Sequence, residues 1–337
     1  MTDDDVEGAT GDGPPRFLVL GPLSIADDAT TVVLQPSKPA ILLATLLLNP
    51  GTMVSVEYLQ RRIWGEEQPS TAKAALQTCV LRLRRLFAKY GVAADAIEAI
   101  PGGYRIIADP ELLDLTCFRD RVLRAAGAAD PEEELRLLRS ALSLWRGPAL
   151  TNVHSELLHR EDVPGLDEER LRTQERVFDL ELAAGRCREV LAELRSAAEA
   201  HPFHERFWEQ LIEALHRTGR RADALTEHQR ISRHLRDELG VDPGTGLRQL
   251  QQAVLRGDDM ETPPAPPPVL VAGDPHPVDF GADVLRGLTE AGLLVEAGPD
   301  RYHVHELLRT FTRAAAAGLA AGVPAFATVL AARPDVA

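Results

Sequence analysis

From Arg16 to Ile107 the chain switches its apolar period twice, and that switching is its strongest constraint on fold. Arg16-Phe-Leu-Val-Leu20, Leu23-Ser-Ile25 and Thr31-Val-Val-Leu34 are short β-rich runs separated by Gly-Pro and Asp-Asp-Ala turn signals. They predict a small antiparallel sheet. Helical spacing follows. Pro39 to Leu48 reads as one apolar helix stopped at Asn49-Pro-Gly51. Ser55 is placed to cap a second helix reaching Trp64, with Gly65 as its stop, and Ser70 or Thr71 to cap a third that runs to about Tyr90 and stops at Gly91. Ile97-Glu-Ala-Ile100, Pro101-Gly-Gly103 and Tyr104-Arg-Ile-Ile107 then read as strand, turn, strand.

Sheet, three helices and a closing hairpin is the element order of a winged helix-turn-helix, which we assign to residues 16–109. Residues 1–15, acidic and nearly devoid of apolar side chains, read as a disordered tail. Residues 110–257 read as helical throughout. Within them Gly185-Arg186 and Gly219-Arg220 lie 34 positions apart (219 − 185), and Leu191/Leu225 and Glu193/Glu227 keep the same offset. That is the tetratricopeptide period, in which stacked helix pairs bury a shared face. Pro263-Pro-Ala-Pro-Pro-Pro268 marks a stiff linker over 258–277. Over 278–337 a helix, a short hairpin around Gly298-Pro-Asp300 and a second helix suggest a residual winged-helix fragment with an Ala-rich tail. The fold class is therefore mainly α with small β elements.

Composition excludes more than it selects. No run approaches the roughly 18 apolar residues that span a bilayer, and Met-Thr-Asp-Asp-Asp-Val-Glu is no signal peptide, so a cytoplasmic protein without a membrane partner is expected. Cys79, Cys117 and Cys187 stand apart, without CxxC or a nearby histidine, so neither zinc nor a disulfide framework is indicated. His201-Pro-Phe-His204 reads as a packing turn, and His303 and His305 as wing residues, rather than as metal ligands. Glu161-Asp162 and Asp167-Glu-Glu169 read as solvated faces, Asp130-Pro-Glu-Glu-Glu134 as a helix start, and Trp64, Trp145 and Trp208 as packing anchors. No catalytic set has a supporting motif, and no phosphate loop of the form GxxxxGK[ST] occurs. Neither an enzyme nor a cofactor is expected.

The chain carries a formal net charge of −14, yet from Gly13 to Ile107 ten basic residues face seven acidic ones, and none of the acids lies between Ser70 and Tyr90. Setting Lys73 at zero and stepping about 100° per residue, Leu76, Cys79, Val80, Leu83, Leu86 and Phe87 fall between about 220° and 340°. Lys73, Gln77, Thr78, Arg82, Arg84, Arg85 and Lys89 fall between about 0° and 180°. A third helix with one apolar stripe and an uncompensated cationic face matches the major groove in width and sign. Leu81, in the middle of that face, is a candidate for apolar contact with a thymine methyl. A different class of protein stays open: a tetratricopeptide-like adaptor or ligand sensor whose winged helix is structural.

Val80-Leu-Arg-Leu-Arg-Arg85 followed by Gly103-Tyr-Arg-Ile106 resembles the recognition helix and wing of OmpR-type winged helices. With Leu20-Gly-Pro-Leu23, Trp64-Gly65, Pro101-Gly-Gly-Tyr-Arg105, Leu142-Ser-Leu-Trp-Arg-Gly-Pro-Ala-Leu150, His201-Pro202 and Glu238-Leu-Gly-Val-Asp-Pro-Gly244, the chain from Arg16 to about Gly257 resembles the Streptomyces antibiotic regulatory protein (SARP) family. The resemblance implies a winged-helix DNA-binding domain followed by a bacterial transcriptional activation domain. It further implies binding to direct repeats near promoters of biosynthetic clusters, a homo-oligomer on DNA, and recruitment of the RNA polymerase holoenzyme with its sigma factor. Carried over by motif position, Gln77, Thr78, Leu81 and Arg82 face the groove, and Arg84 and Arg85 form the basic end of the helix. Gly102, Gly103, Tyr104 and Arg105 form the wing. Leu81 departs from the polar residue common in related helices. The wing tip lacks side chains at Gly102 and Gly103, so phosphate contact there is expected from backbone N–H groups.

Overall fold

The computed structural model describes residues 16–26 and 30–257 in one compact unit and residues 294–298 and 301–304 in a second. The tail, the linker and the helices expected beyond Gly257 lie outside the described residues. In the second unit, Leu294–Gly298 and Arg301–Val304 form an antiparallel hairpin, the one the sequence placed around Gly298.

In the first unit, β1 (Arg16–Leu18), β2 (Ser24–Ala26) and β3 (Thr31–Val33) form an antiparallel sheet in that order, with Phe17 opposite Ile25. Helix α1 (Lys38–Leu47) is capped by Ser37, whose hydroxyl accepts the Ala40 N–H at 3.3 Å. Every residue from Ala40 to Leu47 is buried, as an unbroken apolar run requires of a central helix. Helix α2 (Val56–Trp64) is capped by Ser55, which accepts the Tyr58 N–H at 3.2 Å, and ends at Gly65 with φ +72°. Helix α3 spans Ala72–Lys89. Thr71 holds its N-cap position but its hydroxyl makes no cap bond, because φ −99° and ψ 16° lie outside the extended geometry a side-chain cap uses.

The hairpin of β5 (Ile97–Ile100) and β6 (Gly103–Ile106) follows, and β4 (Val54–Ser55) pairs with the other edge of β6. Two residues are too short to show an alternation, so β4 was not legible in the sequence. Its consequence falls on Gly103. A Cβ there would sit 2.2 Å from the Val54 carbonyl oxygen, so only glycine permits this close pairing.

The helical part comprises α4 (Asp114–Ala126), α5 (Pro131–Leu142), α6 (Glu156–Glu161), α7 (Val163–Ala183), α8 (Cys187–Ala200), α9 (Glu205–Arg217), α10 (Arg221–Leu239) and α11 (Thr245–Arg256). The 34-residue offset is a structural repeat. Gly185 (φ +77°) and Gly219 (φ +79°) make the same left-handed turn, and Val190/Ala224, Leu194/His228 and Ala197/Ile231 are buried at matching positions. Two acidic stretches differ from the solvated faces expected of them. Glu169 forms a bidentate pair with Arg119 (2.9 and 3.0 Å), while Glu161 and Asp162 hold the buried Arg62 at 2.9 and 3.0 Å. Glu134, in the run read as a helix start, is buried against Arg176 at 2.6 and 2.8 Å. In each case the partner arginine lies 42 to 100 residues away in sequence, which no local pattern reveals.

The winged helix and the helical part share a polar seam. The buried Asp114 carboxylate accepts the Val19 N–H on both oxygens (2.8 and 3.0 Å) and the Leu20 N–H at 3.0 Å. The Arg146 N–H donates to the Leu20 carbonyl at 2.8 Å and the Leu150 N–H to the Gly21 carbonyl at 2.7 Å. Asn152 accepts the Leu23 N–H at 2.6 Å and donates to the Leu23 and Leu34 carbonyls. The Leu20–Leu23 and Leu142–Leu150 motifs are thus two sides of one interface.

Candidate nucleic-acid interface

Helix α3 is positioned from beneath. Leu76, Cys79, Val80, Leu83 and Phe87 are buried, Leu86 packs half-buried beside them, and the Phe17 and Phe87 rings meet at 5.5 Å between centroids, tying α3 to the first sheet. Burial pushes the Cys79 thiol up in pKa, against the opposing pull of Arg82 and Lys38, which keeps it protonated and inert. With this stripe fixed inside, the opposite face has to point outward. Lys73, Gln77, Thr78, Arg82, Arg85 and Lys89 are exposed there, and Leu81 is 54% exposed among them. The Thr78 hydroxyl donates to the Ala74 carbonyl of its own helix at 3.0 Å.

The charge on this face is uncompensated. Among the described residues, Lys73, Arg82, Arg85 and Lys89 have no ion-pair partner, whereas in the helical part Arg119, Arg139, Arg176, Arg186, Arg195 and Arg206 each hold a carboxylate. The helical part therefore pairs most of its arginines with carboxylates, whereas the cations exposed along one side of α3 hold none.

The remaining expected contacts are distributed differently. Arg84 is half-buried and turned toward the hairpin, donating to the Ile97 carbonyl at 2.8 Å, so it braces α3 against β5 and lies off the exposed row. Arg105 is paired across the hairpin with Glu98, its Nε 3.1 Å from Oε2. Tyr104 is half-buried against the core, and Gly103 is buried beneath β4. Gly102 (φ +88°) is exposed at the tip, while its carbonyl accepts the Val56 N–H at 3.0 Å and so ties the wing to the start of α2. The helical wheel for α3 and the family resemblance for the wing assigned all of these to the DNA-binding surface. The structure brings Lys73, Gln77, Thr78, Leu81, Arg82 and Arg85 together and gives Arg84, Gly103 and Tyr104 internal work. Among the described residues no cluster of three or more His, Cys, Asp or Glu is arranged to hold a metal, and no helix is long and apolar enough to cross a membrane.

Residues 30–106 match the model of the C-terminal domain of transcriptional regulatory proteins, and residues 113–255 match the bacterial transcriptional activator domain. The chain is 36% identical to the regulatory protein DnrI of Streptomyces peucetius over 267 residues, 75% of this chain and 98% of DnrI. The chain belongs to the SARP family. Among solved structures, Mycobacterium tuberculosis EmbR in complex with a low-affinity phosphopeptide superposes with TM-score 0.68 at 33% identity, over 74% of this SARP and 66% of that chain. AfsR of Streptomyces coelicolor is 38% identical over 250 residues, which are 73% of this chain but only 25% of AfsR. The SARP thus spans nearly all of DnrI and a quarter of AfsR. Its relatives are transcriptional regulators rather than enzymes, and the chain is a DNA-binding transcriptional regulator of the activator type.

Two residues that join the domains of this SARP escaped sequence reasoning. Arg62, on α2, is buried and bonded to Leu157, Glu161 and Asp162 of the activation domain. Asp114 is the reciprocal contact from the other side. An isolated arginine in an amphipathic helix and an aspartate at a helix start carry no local signal of either role.

The Glu98–Arg105 pair gives a direct test of the wing. Both side chains are about 40% exposed, so the pair contributes little to stability. Glu98→Gln is expected to tighten DNA binding about twofold to fivefold at low salt, because it removes a competing carboxylate from a phosphate-seeking guanidinium. Fluorescence anisotropy on a promoter duplex measures this, and unchanged affinity would remove Arg105 from the interface.

Proposed function

We propose that the chain is a pathway-specific activator of a secondary-metabolite cluster, acting in the cytoplasm on the nucleoid. In this reading α3 enters the major groove of direct repeats near the promoter. Lys73, Arg82 and Arg85 grip phosphates, Gln77, Thr78 and Leu81 meet base edges, and Arg105 with the tip at Gly102 follows the neighbouring backbone. Protomers on successive repeats form a homo-oligomer, and the activation domains hold RNA polymerase holoenzyme, including its sigma factor, in register. The observation that carries the reading is the exposed row of unpaired cations on α3 around Leu81. The seam at Asp114 and Arg62 supports the mechanism, because polar bonds buried between the two domains transmit the position of one to the other.

Footprinting of the full chain on the promoters of its genomic neighbourhood tests the reading. Protection of repeated short sites, with transcription in vitro rising when the chain is added, is the expected result. Uniform protection without sequence preference points instead to the adaptor class. Leu81→Ala is expected to weaken discrimination at a single T-containing position by roughly 1 kcal/mol while leaving affinity for unrelated DNA unchanged. A single-base substitution series on the operator reads this out. If every base preference survives, Leu81 is not a base reader.

A further inference from the structure

A second concentration of positive charge lies outside the winged helix. Arg233 and Arg236 of α10 and Arg248 of α11 line a cleft of about 440 Å³ between these helices. Helix α11 carries no acidic residue from Thr245 to Arg256. Asp242 is the one acid lining the cleft among the described residues, and it pairs with Arg236 at 3.4 Å. Arg233 and Arg248 are exposed and have no ion-pair partner among the described residues, in a domain that otherwise pairs most of its arginines.

The wall also contains a buried histidine. His228 is only 4% exposed, and its Nε2 has no hydrogen-bond partner among the described residues, while Nδ1 faces the Ser232 hydroxyl at 3.4 Å. Burial pushes its pKa down, while a hydrogen bond with the Leu247 backbone pulls the other way. A buried polar nitrogen without a close partner can take a ligand atom or an ordered water, and this one belongs to a residue in the wall of the cleft.

We propose that this cleft binds a small sugar phosphate. Guanidinium forks match phosphate oxygens in charge and geometry, and two of the three hold no carboxylate, Arg248 donating only to the Thr245 hydroxyl at 3.4 Å. The volume falls within the ordinary range of small-molecule sites, about 300 to 1,000 Å³, so the ligand carries an organic part beyond the phosphate. Apart from the His228 imidazole no aromatic ring lines the cleft, so a nucleobase has no stacking surface, whereas Ser232, Gln251 and His228 offer partners to sugar hydroxyls.

Isothermal titration calorimetry of the full chain with glucose 6-phosphate and ribose 5-phosphate, against glucose and inorganic phosphate, tests this. Saturable binding of at least one ester, tighter than inorganic phosphate and absent for glucose, is expected. The double variant Arg233→Gln/Arg248→Gln, altering two exposed side chains, should weaken that binding at least about tenfold with unfolding and DNA affinity unchanged. No saturable binding of either ester, equal affinity for inorganic phosphate, or undiminished binding by the double variant would overturn the proposal.

Discussion

Asp114→Ala is expected to destabilise the chain by about 3 to 5 kcal/mol, because it leaves two buried backbone donors without an acceptor. Val19 and Leu20 are both 0% exposed, and their N–H groups have the Asp114 carboxylate as acceptor at 2.8 to 3.0 Å. Arg146 stands 3.5 Å away and completes the site. Desolvation nonetheless raises the Asp114 pKa, against the pull of these N–H groups and of Arg146. Burial is therefore costly for the charge itself, while the carboxylate fixes the geometry of the seam. Urea unfolding measures the loss, and a change under about 1 kcal/mol would show that the two domains do not depend on this carboxylate. Asp114→Asn keeps one acceptor oxygen and should fall between the wild type and the alanine variant.

Arg82→Ala/Arg85→Ala is expected to weaken DNA binding about a hundredfold at physiological salt, since each phosphate contact by a charged donor is worth about 1.5 to 3 kcal/mol before screening. Both side chains are exposed and without an ion-pair partner among the described residues, so thermal stability should be unchanged. The salt dependence should flatten by about 1.8, at roughly 0.9 per phosphate released. An affinity loss accompanied by a lowered melting temperature would trace the effect to folding and remove these arginines from the interface.

Most of the architecture was legible because it rests on local signals. Ser55 caps α2 where the sequence placed a cap, and the glycine-arginine pairs mark a real repeat. The buried stripe of α3 follows from spacing alone. What escaped was what depends on distant partners. Arg84 lies about 20° from Lys73 on the wheel, at the edge of the cationic face, and only the arrival of β5 turns it inward to the Ile97 carbonyl. Arg105 looked free until Glu98 was placed opposite it by the hairpin register. Gly103 read as a wing tip, yet β4 makes it a buried strand residue. Glu161 and Asp162 looked like surface charge because their partner, Arg62, lies on another domain.

The central claim is that the exposed face of α3 is a DNA-reading surface, and a salt titration of the full wild-type chain tests it most directly. Anisotropy on a duplex from its own promoter region, beside a scrambled duplex of equal length, should give log affinity falling linearly with log salt. Three phosphates held by Lys73, Arg82 and Arg85 predict a slope of about −2.7 per bound protomer or steeper, with the promoter duplex preferred throughout. A slope near zero, or equal affinity for both duplexes at every salt concentration, would contradict the account.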